Sequence, residues 1–564
     1  MKKLFFLIPG FIICSGLFSR LSAQTIPVGT QVLEDYYRRL QMMGQLDSTI
    51  SFSVRPLSAQ ALNASNIFDP DSTLADESWL NFSKPFTFAN GKGKFQVLPI
   101  SWQQQFNSQR PYGWNDGAMI PAKGYQTLIS GGFFAKFGPL SIQFRPEYVY
   151  AANDKFEDFA KGKSDNDIRS YYYGAYNYID APERFGVGAY NKLMLGQSSI
   201  RLTFGPASFG FSNENLWWGP GVRNSLIMGN SAPGFRHFTL NTVKPVNIYI
   251  GSLEAQIIGG RLTSSGYSPL LQQTLSTGEN VYRPKDGAWR YLAGLNIVYQ
   301  PKWVPGLFLG FTRTFAAYGR DVKNFGDYFP FFVPFQKNAV ATFDDPFDRD
   351  QRTSLFARWV FTKAKAEIYF EFAKNDNAYN FREFLTSPDH SKAYLFGVRK
   401  LVPLKGRTDE FIQINGEITQ LSQSLIRTIK DAGNFYIHSR VREGYTHLGQ
   451  RLGAGTDGNL QSMEVNWVKG LKKLGLTFER YEHNVDFYNA YIKDLDGQSR
   501  KWVDFSLAAQ GEWNYKNLLF NAKFQAIKSL NSQWLMADYT PGNYYIPHND
   551  KYNIHGEFGI SYRF

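Results

Sequence analysis

The chain has 564 residues, 43% of them hydrophobic, and a formal net charge of +13. Its mean hydropathy is −0.34, and beyond the first stretch no apolar run approaches the roughly 18 residues of a membrane-spanning helix, which excludes a helical membrane protein. The positive excess would favour a polyanion, but charge dispersed over a large surface is commonly only solvated, and we predict no nucleic-acid partner.

The first residues predict a secretory signal peptide. Two lysines precede the apolar residues 4–18, and the small residues before Gln24 offer a cleavage site. We expect residues 1–23 to be removed together with Cys14, the single cysteine, so that no disulfide or thiol chemistry remains. The alternatives are an uncleaved membrane helix, which so short a run does not favour, and a lipoprotein anchor on Cys14.

Residues 24–90 differ in character from the rest of the chain. From Thr30 to Met43, apolar and aromatic side chains recur at helical spacing, with Thr30 placed to cap the start and Gly44 the end. The apolar face of a short helix must be buried against something. We therefore predict a small, mainly helical segment at the periplasmic mouth of a barrel, such as a plug. The alternative is a flexible tail with one transient helix.

From residue 91 onward the pattern is that of β-hairpins. Eight pairs of alternating runs are joined by short turns, near residues 138, 205, 251, 303, 364, 405, 472 and 516. A run at 95–106 and another at the C-terminus raise the count from sixteen strands to eighteen. Longer polar, aromatic-rich segments separate the hairpins, for example 151–192 and 420–460.

Short turns at one end and long loops at the other are typical of outer-membrane barrels, and so is a high aromatic content. The chain has 12 Trp, 33 Tyr and 49 Phe, and such residues form girdles at membrane interfaces. The sequence therefore predicts an all-β fold, a transmembrane antiparallel barrel at 91–564 in the outer membrane, in contact with lipid and lipopolysaccharide. A soluble β-sandwich would also alternate, but it would not explain the signal peptide.

The C-terminal strand shows the clearest alternation. Its aromatic and apolar side chains share one parity, and polar residues occupy the other. A terminal aromatic residue resembles the signature that the assembly machinery of bacterial outer-membrane barrels reads. We assign this role to Phe558, Ile560, Tyr562 and Phe564.

Two aromatic clusters are candidates for binding a glycan, because indole stacks on sugar rings while amides and guanidinium groups bond hydroxyls and carboxylates. The first has a structural turn, Gly219, Pro220 and Gly221, between Trp217 and Trp218 on one side and Arg223 and Asn224 on the other. The second contains Tyr112 and Trp114. For the first cluster, the alternative is an inward-folded loop that packs the lumen. For the second, it is a plain surface turn.

Catalytic and metal-binding motifs are missing from the sequence. The seven histidines are scattered, with no His-Glu-x-x-His, no Gly-x-Ser-x-Gly and no phosphate-binding loop. The acidic run 344–350 lacks the spacing of a calcium loop, and we interpret it as a solvated loop. We predict no enzyme activity, no cofactor and no metal.

Four stretches resemble the Wzi family of capsule-assembly proteins: 36–56, 111–153, 196–202 and 213–235, the last with the rare run WWGPG. The resemblance implies an eighteen-stranded outer-membrane barrel with a helical element at its periplasmic end. It also implies a lectin-like role in attaching capsular or surface polysaccharide. The chain is similar, too, to outer-membrane proteins tied to gliding motility. A gliding- or secretion-associated barrel and a solute diffusion channel are therefore the alternative functions.

Overall fold

The computed structural model describes residues 24–72, 74, 86–332, 349–375, 381–386, 388–423, 434–455, 458–492, 500–535 and 550–564. The predicted signal peptide, residues 1–23, lies outside this range, as does most of the acidic run 344–350.

Within the described ranges, eighteen antiparallel strands form a closed barrel, and the last strand pairs with the first. Strands β3, β4 and β6 each consist of two segments. In chain order the strands are β1 (Gly93–Tyr112), β2 (Ala122–Phe137), β3 (Leu140–Phe144 and Glu147–Ala151), β4 (Tyr190–Met194 and Ser199–Phe204), β5 (Ala207–Ser212), β6 (His237–Thr242 and Val246–Ile248), β7 (Gly251–Leu262), β8 (Arg290–Pro301), β9 (Leu307–Tyr318), β10 (Asp350–Phe361), β11 (Ala366–Asn375), β12 (Lys392–Pro403), β13 (Glu410–Gln420), β14 (Gly458–Lys469), β15 (Lys472–His483), β16 (Val503–Tyr515), β17 (Leu518–Leu530) and β18 (Lys551–Tyr562).

The two ends of the barrel differ in the length of their connections. All eight predicted hairpins form, and their short turns lie together at one end, which we call the turn end. At the opposite end, the loop end, consecutive strands are joined by longer stretches such as 152–189, 213–236 and 263–289. Short turns face the periplasm in outer-membrane barrels, which places the loop end at the cell surface. The predicted strand count and turn positions are confirmed.

The wall alternates between an apolar outer face and a polar inner face. In β11, Ile368 and Phe370 are exposed on the outside, whereas Glu367 and Glu371 are fully buried on the inside. Successive side chains of a strand point to opposite faces, so each strand offers apolar groups to lipid and polar groups to the lumen. Among the residues described, no helix combines the length and apolar character that a membrane crossing needs.

The N-terminal segment, residues 24–72, lies in the lumen near the turn end. It contains the predicted helix, α1 (Gln31–Met42), followed by Gly44 in a left-handed conformation with φ +74°. Outside α1 the segment consists of turns and the two-residue strands Thr25–Ile26, Val54–Arg55 and Leu57–Ser58. The predicted cap differs in detail, because the Thr30 hydroxyl donates to the carbonyl of Pro27 instead of capping the helix.

Apolar contacts hold the N-terminal segment against the inner wall. Side chains of α1 and of the turns after it form one buried cluster with four residues of the barrel. The wall residues of that cluster are Leu98, Phe134, Leu471 and Leu519. Because this apolar surface would otherwise face water, its burial favours the docked position of the segment.

Ion pairs also join α1 to the wall. The Glu367 carboxylate accepts hydrogen bonds from Arg38 Nε at 2.7 Å and from Arg358 Nε at 2.8 Å. Asp35 of α1 pairs with Arg399 of β12 at 2.9 Å and with Arg39 one turn along the helix. Buried charges are tolerated when they are paired and hydrogen-bonded, so this network positions the helix as well as neutralising the wall.

Acid is expected to weaken the docking of α1 through Asp35. Burial alone would raise the pKa of Asp35, but Arg39, Arg399 and Lys473 outweigh it and hold the pKa below its usual range. A lowered folded-state pKa gives stability that is present above the unfolded value of about 3.9 and is lost as the pH falls. Asp35→Asn should therefore lower the melting temperature at pH 7 and flatten its decline toward pH 3. The exposed control Asp47→Asn should keep the wild-type pH profile, and an unchanged profile for Asp35→Asn would contradict the assignment.

Short helices occur in the long connections. They are α2 (Asp165–Gly174), α3 (Phe325–Tyr328), α4 (Phe381–Thr386) and α5 (Val485–Phe487), which runs into a π turn at Tyr488–Ile492. Single 3₁₀ turns lie at Tyr176–Tyr178, Gly319–Asp321, Pro330–Phe332 and Ser532–Trp534. The other short strands are Phe86–Phe88, Trp217–Trp218, Thr446–His447 and Gln450–Arg451.

The C-terminal residue does not share the outward position of the apolar side chains that precede it on the same parity. Tyr552, Ile554 and Phe558 are exposed on the outside of β18, as the alternation indicates. Phe564 lies beyond the last strand residue, is only 7% exposed and packs edge-on against Tyr562 at 5.0 Å. The strand parity stops at Tyr562, so Phe564 does not continue the lipid-facing row.

Candidate functional site

The long connection 213–236, which we call the lumen loop, folds into the barrel. Trp217–Trp218 pairs antiparallel with Val54–Arg55 of the N-terminal segment. The lumen loop from one end of the barrel and the N-terminal segment from the other therefore meet inside it. Together they fill much of the space that the eighteen strands enclose.

Both tryptophans of the lumen loop are buried. Trp218 has no exposed surface, and its Nε1 donates to Gln256 Oε1 of the wall at 2.8 Å. The Trp217 ring lies under the Arg55 guanidinium, 4.5 Å from its centroid. Their rings are covered by protein, which is the arrangement that the lumen-packing alternative anticipates.

The Gly219-Pro220-Gly221 turn has steric reasons for its glycines. A Cβ on Gly221 would lie 1.9 Å from the carbonyl oxygen of Asn224. Gly219 has φ +119° and lies against the carboxylate of Glu371. The Pro220 carbonyl accepts a hydrogen bond from Arg38 Nη2 at 2.8 Å, so the turn is tied directly to α1.

The residues after the turn are held by carboxylates of the wall. The backbone N–H groups of Val222, Arg223 and Asn224 all donate to Glu417 of β13, at 2.7 to 2.9 Å. The Arg223 side chain donates to both carboxylate oxygens of Glu479 of β15, at 2.7 and 3.0 Å. Burial alone would lower the pKa of Arg223, but the charge of Glu479 outweighs it and raises the pKa above its usual value.

Trp114, from the second aromatic cluster of the sequence, contacts these residues. Its Nε1 donates to Asn224 Oδ1 at 3.0 Å, and the Arg223 guanidinium lies 4.7 Å from its ring centroid. Tyr112 makes its direct contacts elsewhere, with its ring 4.8 Å from His555 and its hydroxyl accepting from Gln525. The structure thus brings together three of the six predicted glycan residues, Trp114, Arg223 and Asn224.

A cavity of about 280 Å³ remains between the N-terminal segment and the lumen loop. Trp114 and Arg223 line it, whereas the other four predicted glycan residues do not. Its lining is rich in other charged side chains of both signs, among them Glu34, Arg38, Arg145, Lys473 and Glu557. This volume is close to the lower end of the roughly 300 to 1,000 Å³ of typical ligand pockets. Across the described residues, no three His, Cys, Asp or Glu side chains are grouped to hold a metal.

The loop end carries a second cluster that the sequence analysis did not single out. Tyrosines from α2 and the turn after it lie beneath three cationic side chains of two other loops. We call this cluster the outer basic face; it consists of Tyr173, Tyr176, Tyr178, Arg283, Lys285 and Arg442. The tyrosine-rich run 171–178 was the available signal, but the cations come from distant parts of the chain and form no local motif.

Comparison with known proteins gives one family and one shared fold. A family model for the capsule assembly protein Wzi matches residues 122–528, and no curated protein matches the sequence. Wzi of Escherichia coli is an outer-membrane protein involved in group 1 capsule assembly and a carbohydrate-binding β-barrel. Its solved structure superposes with a TM-score of 0.58 and 12% identity, over 96% of this chain and 100% of that one.

Two further barrels match more weakly. OccAB2 of Acinetobacter baumannii has a TM-score of 0.39 and 10% identity, over 83% of this chain and 97% of its own. OpdQ of Pseudomonas aeruginosa has a TM-score of 0.36 and 9% identity, over 83% of this chain and 97% of its own.

Proposed function

Because the chain belongs to the Wzi family of capsule assembly proteins, we propose that it holds capsular or surface polysaccharide at the cell surface as a lectin-like outer-membrane barrel. The protein is an eighteen-stranded barrel of the outer-membrane type. Holding the polysaccharide requires a surface that contacts sugar on the outside and a barrel that stays in the membrane. No catalytic step is part of this proposal.

The observation that carries the proposal is the filled lumen. The lumen loop and the N-terminal segment meet through the strand pair Trp217–Trp218 with Val54–Arg55, and a cavity of about 280 Å³ lies beside them against the wall. A diffusion channel needs a continuous aqueous path, as in porins. A barrel filled from both ends suits a binding protein better than a channel.

The chain divides into a signal peptide at 1–23, a plug-like segment at 24–90 and the barrel at 91–564. Lipid and lipopolysaccharide surround the barrel, and the assembly machinery reads the C-terminal residues Phe558, Ile560, Tyr562 and Phe564. Trp114, Arg223 and Asn224 are the predicted glycan residues that the geometry favours, because Trp114 contacts the other two and because Trp114 and Arg223 line the cavity. Weak contacts to sugar suffice for retention when many copies bind one polymer.

The function is tested by deleting the gene and by measuring conductance. The deletion strain should release polysaccharide into the medium while its total polysaccharide stays unchanged, and complementation should restore retention. Purified protein in planar bilayers should show no large, stable conductance, because the lumen is filled. Large conductance together with normal retention in the deletion strain would instead favour a solute channel. Normal retention with lost gliding would favour the motility alternative.

A further inference from the structure

Three loops of the loop end are fastened together around one buried residue. Asn177, which follows α2, is 1% exposed. Its Nδ2 donates to the carbonyl of Val281 at 3.1 Å, and its Oδ1 accepts from the backbone N–H of Arg283 at 3.0 Å. Arg442 Nε donates to the Asn177 carbonyl at 3.3 Å. Loops 152–189 and 263–289 and the described part of the connection before β14 therefore form one connected surface.

The cations of the outer basic face rest on tyrosine rings. The Arg283 guanidinium lies 4.7 Å from the Tyr173 centroid, and Lys285 Nζ lies 4.7 Å from that of Tyr176. Arg442 lies 5.9 Å from the Tyr178 ring, and its Nη2 donates to the Arg283 carbonyl at 3.3 Å. Cation–π contacts of this kind hold a charged head in place without neutralising it.

These three cations have no carboxylate within ion-pair distance among the residues that the structure describes. The nearby carboxylates are Asp180, Asp286 and Glu443, and each accepts hydrogen bonds from or pairs with other groups. Asp180 accepts from the backbone N–H and the hydroxyl of Ser265 at 2.6 and 2.7 Å, and Asp180 and Glu443 act on Lys285 only at longer range. Asp286 pairs with Arg320 at 2.5 Å, and Glu443 accepts from the Tyr318 hydroxyl at 2.6 Å and from the Gly287 N–H at 2.9 Å. The outer basic face therefore keeps three positive charges side by side at the end of the barrel that faces the cell exterior.

Like charges held together repel each other, and an anionic ligand would relieve that repulsion. Guanidinium and ammonium groups bind carboxylates through charge-assisted hydrogen bonds. Tyr176 is buried, but Tyr173 and Tyr178 are partly exposed and add apolar surface of the kind on which the C–H groups of a sugar ring pack. A neutral polysaccharide would use the rings but not the charges.

We propose that the outer basic face binds the carboxylate-bearing sugar units of an acidic polysaccharide. The inference rests on the proposed function and specifies its ligand as a polyanion, held by Arg283, Lys285 and Arg442. Binding is then expected to weaken as salt is added, since screening acts on exposed charges. It is also expected to favour uronate polymers over neutral ones of equal length.

The test uses the full-length protein in detergent, with polygalacturonate as the acidic probe and dextran as the neutral one. The variant Arg283→Gln/Lys285→Gln/Arg442→Gln should lose affinity for polygalacturonate by about tenfold or more, since one lost charge-assisted hydrogen bond already corresponds to about one such factor. The matched control is Lys302→Gln/Lys363→Gln/Lys405→Gln, which removes the same charge from exposed positions at the turn end. The control should bind like the wild type.

A second variant separates charge from packing. Arg283→Lys/Arg442→Lys keeps both positive charges and should keep most of the affinity at an unchanged melting temperature. If this lysine variant loses as much affinity for polygalacturonate as the glutamine variant does, the loss comes from altered loop structure and the proposal is wrong. Equal wild-type affinity for dextran and polygalacturonate would also overturn it.

The strain's own extracted surface polysaccharide distinguishes this proposal from the proposed function. If the wild type and the glutamine variant retain that polysaccharide equally, the outer basic face is not the binding surface, while the proposed function stands. If the wild type does not retain it at all, the proposed function fails and the present inference falls with it.

Discussion

Replacing Glu367 by alanine is expected to lower the free energy of unfolding by about 3–5 kcal/mol, the usual cost of removing one partner from a buried ion pair. Glu367 has no exposed surface and accepts hydrogen bonds from both Arg38 and Arg358. Without it, two fully or nearly buried guanidinium groups would lose their carboxylate. The loss should appear as a lower melting temperature of the detergent-solubilised barrel.

The same substitution should loosen the N-terminal segment. Arg38 and Arg39 of α1 are each 3% exposed, so trypsin should not cut after either in the wild type. If Glu367 anchors the helix, the alanine variant should become sensitive at these two sites, because local opening exposes them. Glu367→Gln keeps the shape and loses the charge, and it should give an intermediate result.

Glu279→Ala is a matched control for Glu367→Ala. Glu279 also pairs with an arginine, Arg169, at 2.7 Å, but both side chains are exposed. Exposed ion pairs contribute little to stability, so neither the melting temperature nor the trypsin pattern should change. Equal stability of Glu367→Ala and the wild type would show that the buried network is not needed to hold the helix.

Replacing Trp218 by alanine is expected to cost about 3–5 kcal/mol of stability, the range for truncating a large buried aromatic side chain. The indole is fully buried and donates to Gln256. It also fills space that Gly294 leaves open, because a Cβ at that position would lie 2.6 Å from the ring. The substitution would leave a cavity and would remove the Trp218 donor from the Gln256 amide oxygen.

Trp218→Ala also separates the two interpretations of the WWGPG turn. The geometry predicts lower heat stability and yield, with normal polysaccharide retention by the protein that folds. Trp114→Ala is the informative comparison, since Trp114 lines the cavity and is only partly buried. A Trp218→Ala barrel with wild-type heat stability but reduced retention would restore the glycan-contact interpretation of Trp218.

The sequence by itself determined the barrel wall. Successive side chains of a strand point to opposite faces, so the parity of Ile368 and Phe370 against Glu367 and Glu371 can be read without any tertiary information. The short turns are equally local, because a hairpin needs only two alternating runs and the residues between them. The helical spacing between Thr30 and Met43 likewise predicted α1 to within a residue at either end.

Only the tertiary structure decided what the inside of the barrel and the outer loops do. Nothing local in WWGPG tells whether its indoles point to solvent or into the lumen, because their partners, Arg55 and Gln256, lie far away in the chain. The outer basic face could not be predicted from the sequence for the same reason. Arg283 and Arg442 meet only because barrel closure brings their loops together around Asn177. Long-range contacts of this kind depend on how the loops pack, which residue periodicity does not encode.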